Sequence, residues 1–151
     1  MPSILINEKI HIYTGKISIR WRDIDPFMIV NHAILFTLME EVRLKWFETT
    51  ELKRSLKYFY PIVDVHATFQ DQIKYPANLH VNLFTHEIKE KSWVFYHEIF
   101  NENNLKKVCA KASVISVVYD QKLKCAIPIP PELIKALCKS FNSIENYHER
   151  I

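Results

Sequence analysis

Residues 20–48 read Arg-Trp-Arg-Asp-Ile-Asp-Pro-Phe-Met-Ile-Val-Asn-His, then Ala33 through Glu48. This stretch decides the fold. It reads as a strand end, a tight acidic loop and a long apolar helix. Proline confines the residue before it to extended backbone, so Asp25 cannot readily join a helix. Asn31 is a good N-cap, whose side chain can take up a free backbone N–H. Leu35, Leu38, Met39, Val42 and Trp46 then follow at i, i+3, i+4, i+7 and i+11, one helical stripe. Ala33, Ile34 and Phe36 widen it, so the first two turns are apolar nearly all round and call for burial by more than one surface. Farther on, Glu40 and Arg43 stand at i,i+3 and Glu41 and Lys45 at i,i+4. Such surface pairs are worth ~0.2–0.5 kcal/mol each.

Before the loop, Ile17, Ile19 and Trp21 alternate on one face of a strand. After the helix, residues 49–60 read as its end and a short second helical turn, with Pro61 as the breaker. The period then changes. Ile62 to Ile73, Ala77 to Lys89, Lys91 to Phe100 and Lys106 to Tyr119 each read as strands. Their separators are short and turn-rich, which predicts an antiparallel meander. Several strands are apolar on both sides, as in a sheet covered on both faces or forming an interface. Pro131 suits the first turn of a last helix, Glu132 to Lys139, and residues 140–151 read as a frayed tail. The order is strand, long helix, four strands. The class is α+β, with a helix buried on a curved antiparallel sheet of five strands.

Bulk properties narrow the function. The chain has 151 residues, 48% hydrophobic and 25% charged, with a net charge of +3. That is one globular domain spanning residues 1–151, its core about 10–138. The basic residues are scattered rather than clustered, which argues against nucleic acid as a partner. No apolar run approaches the ~20 residues of a membrane span. The three cysteines show no metal or redox spacing, so a reducing cytoplasm is the simplest setting. His66, His80, His86 and His97 lie on strands without ligand spacing, and no metal or cofactor is expected. Gly15 is the single glycine. Phosphate-cradling loops and the Gly-x-Ser-x-Gly elbow are therefore close to excluded. Sharp turns should fall to Asn, Asp and Pro.

Trp21-Arg22-Asp23-Ile24-Asp25-Pro26, Val30-Asn31-His32-Ala33 and Met39-Glu40-Glu41-Val42-Arg43 together resemble the 4-hydroxybenzoyl-CoA thioesterase family. The likeness extends through Phe69 to Val81, where Tyr75-Pro76-Ala77 looks like a family turn, and covers roughly residues 12–137. The resemblance implies the hotdog fold: a long central helix wrapped by a curved five-stranded antiparallel sheet. It implies hydrolysis of an acyl-CoA substrate by a homo-oligomer, a dimer with a continuous sheet or a dimer of dimers (homotetramer), with sites between subunits.

By match to the motif, Asp25 is the catalytic carboxylate, as general base or nucleophile. The backbone N–H of His32 would polarise the thioester carbonyl, and its imidazole would orient water or Asp25. Asn31, Met28, Phe27 and Lys91 are the further substrate-binding candidates, Lys91 through a CoA phosphate. Phe36 and Phe69 are candidates for an acyl wall. The plainer reading makes Asp25 a turn residue and Asn31 only a cap.

Two departures stand out. Met28 occupies a position where the family usually has glycine, which permits backbone that a side chain resists. Trp21 stands where the His-bearing branch often has Tyr. Met28 motivates the alternative of a catalytically weak acyl-binding or scaffold protein. A hotdog dehydratase is the other alternative.

Overall fold

The computed structural model describes residues 4–54 and 58–139, with side chains omitted at 4, 5, 53 and 54. The strands are β1 (Ile4–Ile6), β2 (Ile10–Ser18), β3 (Ile62–Phe69), β4 (Asn78–His86), β5 (Ile88–Lys89), β6 (Ser92–Asn101), β7 (Asn104–Asp120) and β8 (Cys125–Ile127). The helices are α1 (His32–Glu48) and α2 (Pro131–Leu137). Single 3-10 turns lie at Trp21–Asp23 and Glu51–Arg54. The expected tail, residues 140–151, lies outside the described residues.

The main sheet is antiparallel, in the order β2-β4-β6-β7-β3, and β8 adds to β7. It has six strands rather than the expected five, and β1 pairs with β5 in a separate two-stranded sheet. The extra pieces are two or three residues long, too short to show alternation. Two of them follow a break in backbone direction. Glu87, at φ 46°, precedes β5, and Lys124, at φ 54°, precedes β8. Together with Met28 at φ 65°, these are the left-handed residues, and none is Asn, Asp or Pro. The expectation that those three types would make every sharp turn is corrected here. Asp120 does fit it, its Oδ1 accepting from Lys122 and Leu123 N–H in the β7–β8 turn.

Helix α1 starts where its cap predicts: Asn31 Oδ1 accepts from Ala33 N–H at 2.9 Å. Its stripe of Leu35, Leu38, Met39, Val42 and Trp46 is buried, each such side chain contributing ~1.5–3 kcal/mol relative to exposure. It shares one core cluster with Ile12, Leu79, Val81, Leu83, Trp93, Phe95, Ile99 and Val114 of the sheet. The chain's single glycine sits where β2 passes close under α1. A Cβ on Gly15 would meet Val42 Cγ2 at 2.6 Å, so any side chain on β2 here would push α1 off the sheet. No helix among the described residues is long and apolar enough to cross a membrane.

The two edges of the sheet differ. Among the described residues, strand β3 borders only β7, and Ile62, Val63, Val65 and Phe69 stay 40–58% exposed on it. An open edge with apolar side chains is a template for pairing.

Candidate active site

The loop between β2 and α1 is built on two aspartates with different partners. Asp23 is fully buried. Its Oδ2 accepts from the backbone N–H of Arg20 at 2.8 Å and from Arg20 Nε at 3.0 Å, and its Oδ1 accepts from Arg20 Nη2 at 3.0 Å. Its carbonyl accepts from Asn31 N–H at 2.9 Å, which fixes the first residue before α1. Hydrogen bonding from Arg20 holds the Asp23 carboxyl below the usual carboxylate range.

Asp25 is half-buried. Its Oδ1 accepts from Phe27 N–H at 2.8 Å and Ile29 N–H at 3.3 Å. Its backbone closes the loop, N–H to the Ile29 carbonyl at 2.8 Å and carbonyl from Met28 N–H at 3.0 Å. Oδ2 is left without a hydrogen bond among the described residues. The bridges Ile24–Val30 and Ile29–Lys74 tie this hairpin to the chain that follows β3.

Asp25 and His32 line one cavity of about 430 Å³. Its other walls are Ile29, Val30 and Leu35 and the segment from Phe69 to Ile73. The His32 ring stands edge-on to Phe69, centroids 6.3 Å apart. In the first turn of α1, Ala33 N–H is taken by the Asn31 side chain and Ile34 N–H by the Asn31 carbonyl. His32 N–H meets no acceptor among the described residues. A residue with a free N–H at a helix start and an imidazole, and one with a free carboxylate oxygen, thus line one open cavity.

Opposite Asp25, the backbone N–H groups of Gln70 and Asp71 both donate to the Cys109 carbonyl, at 2.8 and 3.0 Å. That turn ends β3 four residues earlier than the alternation predicts. The Asp71 carboxyl is held low by a 3.0 Å ion pair with Lys107. Sequence reasoning missed this polar wall. Its only trace is the switch from apolar strand to Gln-Asp-Gln after Phe69.

The other sequence candidates fall elsewhere. Asn31 caps the helix. Phe27 and Met28 form the loop tip, 83% and 51% exposed, and do not line the cavity. Met28 adopts the left-handed backbone a glycine would take and turns its side chain to solvent, so it does not narrow the cavity. Phe36 packs against the core instead. Lys91 is exposed in the turn before β6, where its carbonyl accepts from Val118 N–H.

Two expectations on α1 part ways. Glu41 and Lys45 pair at 2.8 Å. Glu40 and Arg43 do not pair. Arg43 turns inward, Nη1 3.4 Å from Nε2 of His97. His97, read from sequence as an ordinary strand residue, is fully buried on β6. Burial, with the Arg43 charge beside it, depresses its pKa to about 3, so it stays neutral near pH 7.

A model of the thioesterase-like superfamily matches residues 19–137. This chain belongs to that superfamily. The match carries the broad attribution rather than the narrower 4-hydroxybenzoyl-CoA family. Among solved structures, the PA2801 protein of Pseudomonas aeruginosa, a thioesterase by assignment, is 22% identical. The alignment covers 86% of this chain and 99% of that one, with a TM-score of 0.77. The 1,4-dihydroxy-2-naphthoyl-CoA thioesterase Slr0204 of Synechocystis is 16% identical over 87% and 97% of the two chains, TM-score 0.75. The SAV2348 protein of Staphylococcus aureus, solved in complex with CoA, is 12% identical over 93% and 88%, TM-score 0.76. At these identities the likeness is one of fold. No curated protein matches the sequence.

Proposed function

We propose that this protein is a hotdog-fold acyl-CoA thioesterase of the cytoplasm, releasing a free acid and CoA, with Asp25 as its catalytic carboxylate. The observation that carries the reading is the shared cavity: Asp25 Oδ2 without a partner, His32 N–H without an acceptor, and membership of a thioesterase superfamily. As general base, Asp25 takes a proton from water while the water oxygen bonds to the thioester carbon. The carbonyl oxygen gains negative charge and is stabilised by His32 N–H and the positive end of α1. The C–S bond then breaks, and the proton passes from Asp25 to the CoA thiolate. As nucleophile, Asp25 would bond to the carbonyl carbon itself while the C–S bond breaks and CoA leaves as the thiolate, and water would then open the mixed anhydride at the Asp25 carboxyl carbon, its proton going to the thiolate. The His32 imidazole, beside Phe69, orients the water.

The open β3 edge supports an oligomer. A second copy pairing its β3 antiparallel to this one would continue the sheet and place a partner beside Phe69 and Gln70 at the cavity mouth. Pairing two such dimers would give the tetramer.

The test is a hydrolysis screen with short, long and aromatic acyl-CoAs, run on wild type and Asp25→Asn. Turnover by wild type and its loss in the variant is the expected result. Equal turnover by both would remove Asp25 from the mechanism. Single turnover in ¹⁸O-water separates the two routes, because only the nucleophile route leaves label in the Asp25 carboxylate.

A further inference from the structure

Four exposed apolar side chains gather at the loop that carries Asp25. Phe27 and Met28 are 83% and 51% exposed at its tip, and Trp21 and Tyr75 are 63% and 40% exposed beside it. The Trp21 and Tyr75 rings meet edge-on, centroids 5.5 Å apart. The antiparallel bridge Ile29–Lys74 leaves Met28 and Tyr75 on the same side of itself. Phe27 is the next residue along the tip. The four therefore form one patch. Single exposed apolar residues are ordinary, but a contiguous cluster marks a contact surface. None of the four lines the cavity, so the patch is not a wall of the site already described.

The exposed charges beside the patch are of one sign. In residues 20–30 and 72–77 they are Arg20, Arg22 and Lys74. The two acids of these segments are withdrawn: Asp23 is fully buried against Arg20, and Asp25 is half-buried and lines the cavity. Carboxylates of neighbouring segments are engaged. Glu41, which acts on Arg20, pairs with Lys45 at 2.8 Å, and Asp71 pairs with Lys107 at 3.0 Å. Glu102 accepts from Asn78 and lies 3.4 Å from His80. Arg22 and Lys74 make no ion pair among the described residues. The surface that complements this patch is therefore anionic outside and apolar beneath. A bilayer has that layering. Trp and Tyr suit its headgroup level, Phe and Met the start of its acyl region, and Arg and Lys its phosphates. The tip is also a projecting turn, closed by the Met28 N–H to Asp25 carbonyl bond at 3.0 Å. A projecting tip needs a matched pocket in a rigid protein partner and needs none in a fluid lipid layer.

We propose that this patch docks the protein on anionic lipid membranes. Phe27 and Met28 enter the acyl boundary, Trp21 and Tyr75 lie at headgroup depth, and Arg22 and Lys74 meet lipid phosphates. The inference stands apart from the hydrolase reading. Asp25 and Ile29, on either side of the tip, line the cavity, so docking would bring the cavity to the lipid surface.

Indole fluorescence gives a test that needs no variant. The chain has three tryptophans, and Trp46 and Trp93 are only 3% and 2% exposed. A change on adding vesicles therefore reports Trp21. With equimolar phosphatidylglycerol and phosphatidylcholine vesicles, the protein should co-sediment and its emission should shift to the blue. Dibrominated acyl chains in those vesicles should quench it. Pure phosphatidylcholine vesicles should bind the protein less, and added salt should weaken the binding. Phe27→Asp should weaken vesicle partition about tenfold or more, because an exposed apolar anchor becomes a charge, and Arg22→Glu about fivefold or more. Both residues are exposed, and an unchanged urea midpoint confirms that each variant is folded. Absence of wild-type binding to the anionic vesicles overturns the proposal. So does binding without a change in emission, which would put the contact away from Trp21, or binding undiminished in Phe27→Asp. A wild type that ignores vesicles but self-associates on a sizing column, and loses that association in Phe27→Asp, also overturns it and makes the patch a contact between copies.

Discussion

Asp23 and Asp25 stand two residues apart in one loop and have opposite fates. Asp23 is buried, and both its oxygens are taken up by Arg20. Asp25 is half-buried, spends one oxygen on its own loop and keeps the other free at a cavity. The difference teaches how a fold affords a reactive carboxylate. One aspartate saturates its hydrogen bonds to hold the backbone, and the rigid loop then presents the second with a bond unmade. A fully satisfied carboxylate anchors, and a half-satisfied one can react.

The largest expected effect breaks the comparison on the side of chemistry. Asp25→Asn keeps both loop hydrogen bonds, since the amide oxygen can accept them. It should lower kcat by roughly 10²–10⁴, the usual worth of a positioned acid or base, while the urea midpoint barely moves. A drop in stability matching the loss of activity would make Asp25 a second anchor and erase the contrast.

Asp23→Ala should do the reverse. It removes the acceptor of three hydrogen bonds and leaves the Arg20 N–H to find water. The cost should be about 2 kcal/mol in urea unfolding, discounted because Arg20 itself is half-exposed. Activity per folded molecule should fall less than in Asp25→Asn.

A pH series sharpens this further. The folded-state pKa of Asp23 lies below its ordinary value of 3.8. Its ion pair therefore contributes stability that is present above about pH 4 and lost as pH falls through the lower folded value. His97, neutral and buried, adds to the loss from higher pH: its stabilisation is present above its unfolded pKa near 6.5 and drains away between there and about 3. Acid unfolding of Asp23→Asn should accordingly be flatter than wild type below pH 4 and parallel to it between 4 and 6.5. Parallel curves throughout would show that Asp23 is not the acid-sensitive anchor.

The smallest effect concerns the loop tip between the two roles. Met28 holds φ 65° with a side chain mostly in solvent. Met28→Gly should gain up to about 1 kcal/mol, because left-handed backbone strains an L-residue and not glycine. Part of that is offset by the greater entropy of an unfolded glycine. Hydrolysis should change little, as the side chain does not reach the cavity. A large rise in kcat would mean that the tip moves into the site during turnover.

Periodicity along a single element was legible in the residues. The stripe from Leu35 to Trp46, the Asn31 cap and the alternation of β4, β6 and β7 are local patterns, and the structure follows them. Asp25 and His32 were reachable through the loop motif, although no local signal separates Asp25 from Asp23. Short strands after left-handed residues escaped because they carry no period. Arg43 escaped because its spacing from Glu40 fits a surface pair as well as any. What drew it inward is His97, 54 residues away on β6.

The sequence by itself thus determined which segments are helix and strand, and which face of each is apolar, since those depend on neighbours a few residues away. Only the tertiary structure decided which aspartate is saturated and that residues 69–73 line the cavity beside Asp25. It also decided that Arg43 reaches the buried His97 and that, among the described residues, β3 is left as an edge. Each of these depends on which distant chain supplies the hydrogen-bond partner or the covering surface, and that is settled by packing rather than by spacing along the chain.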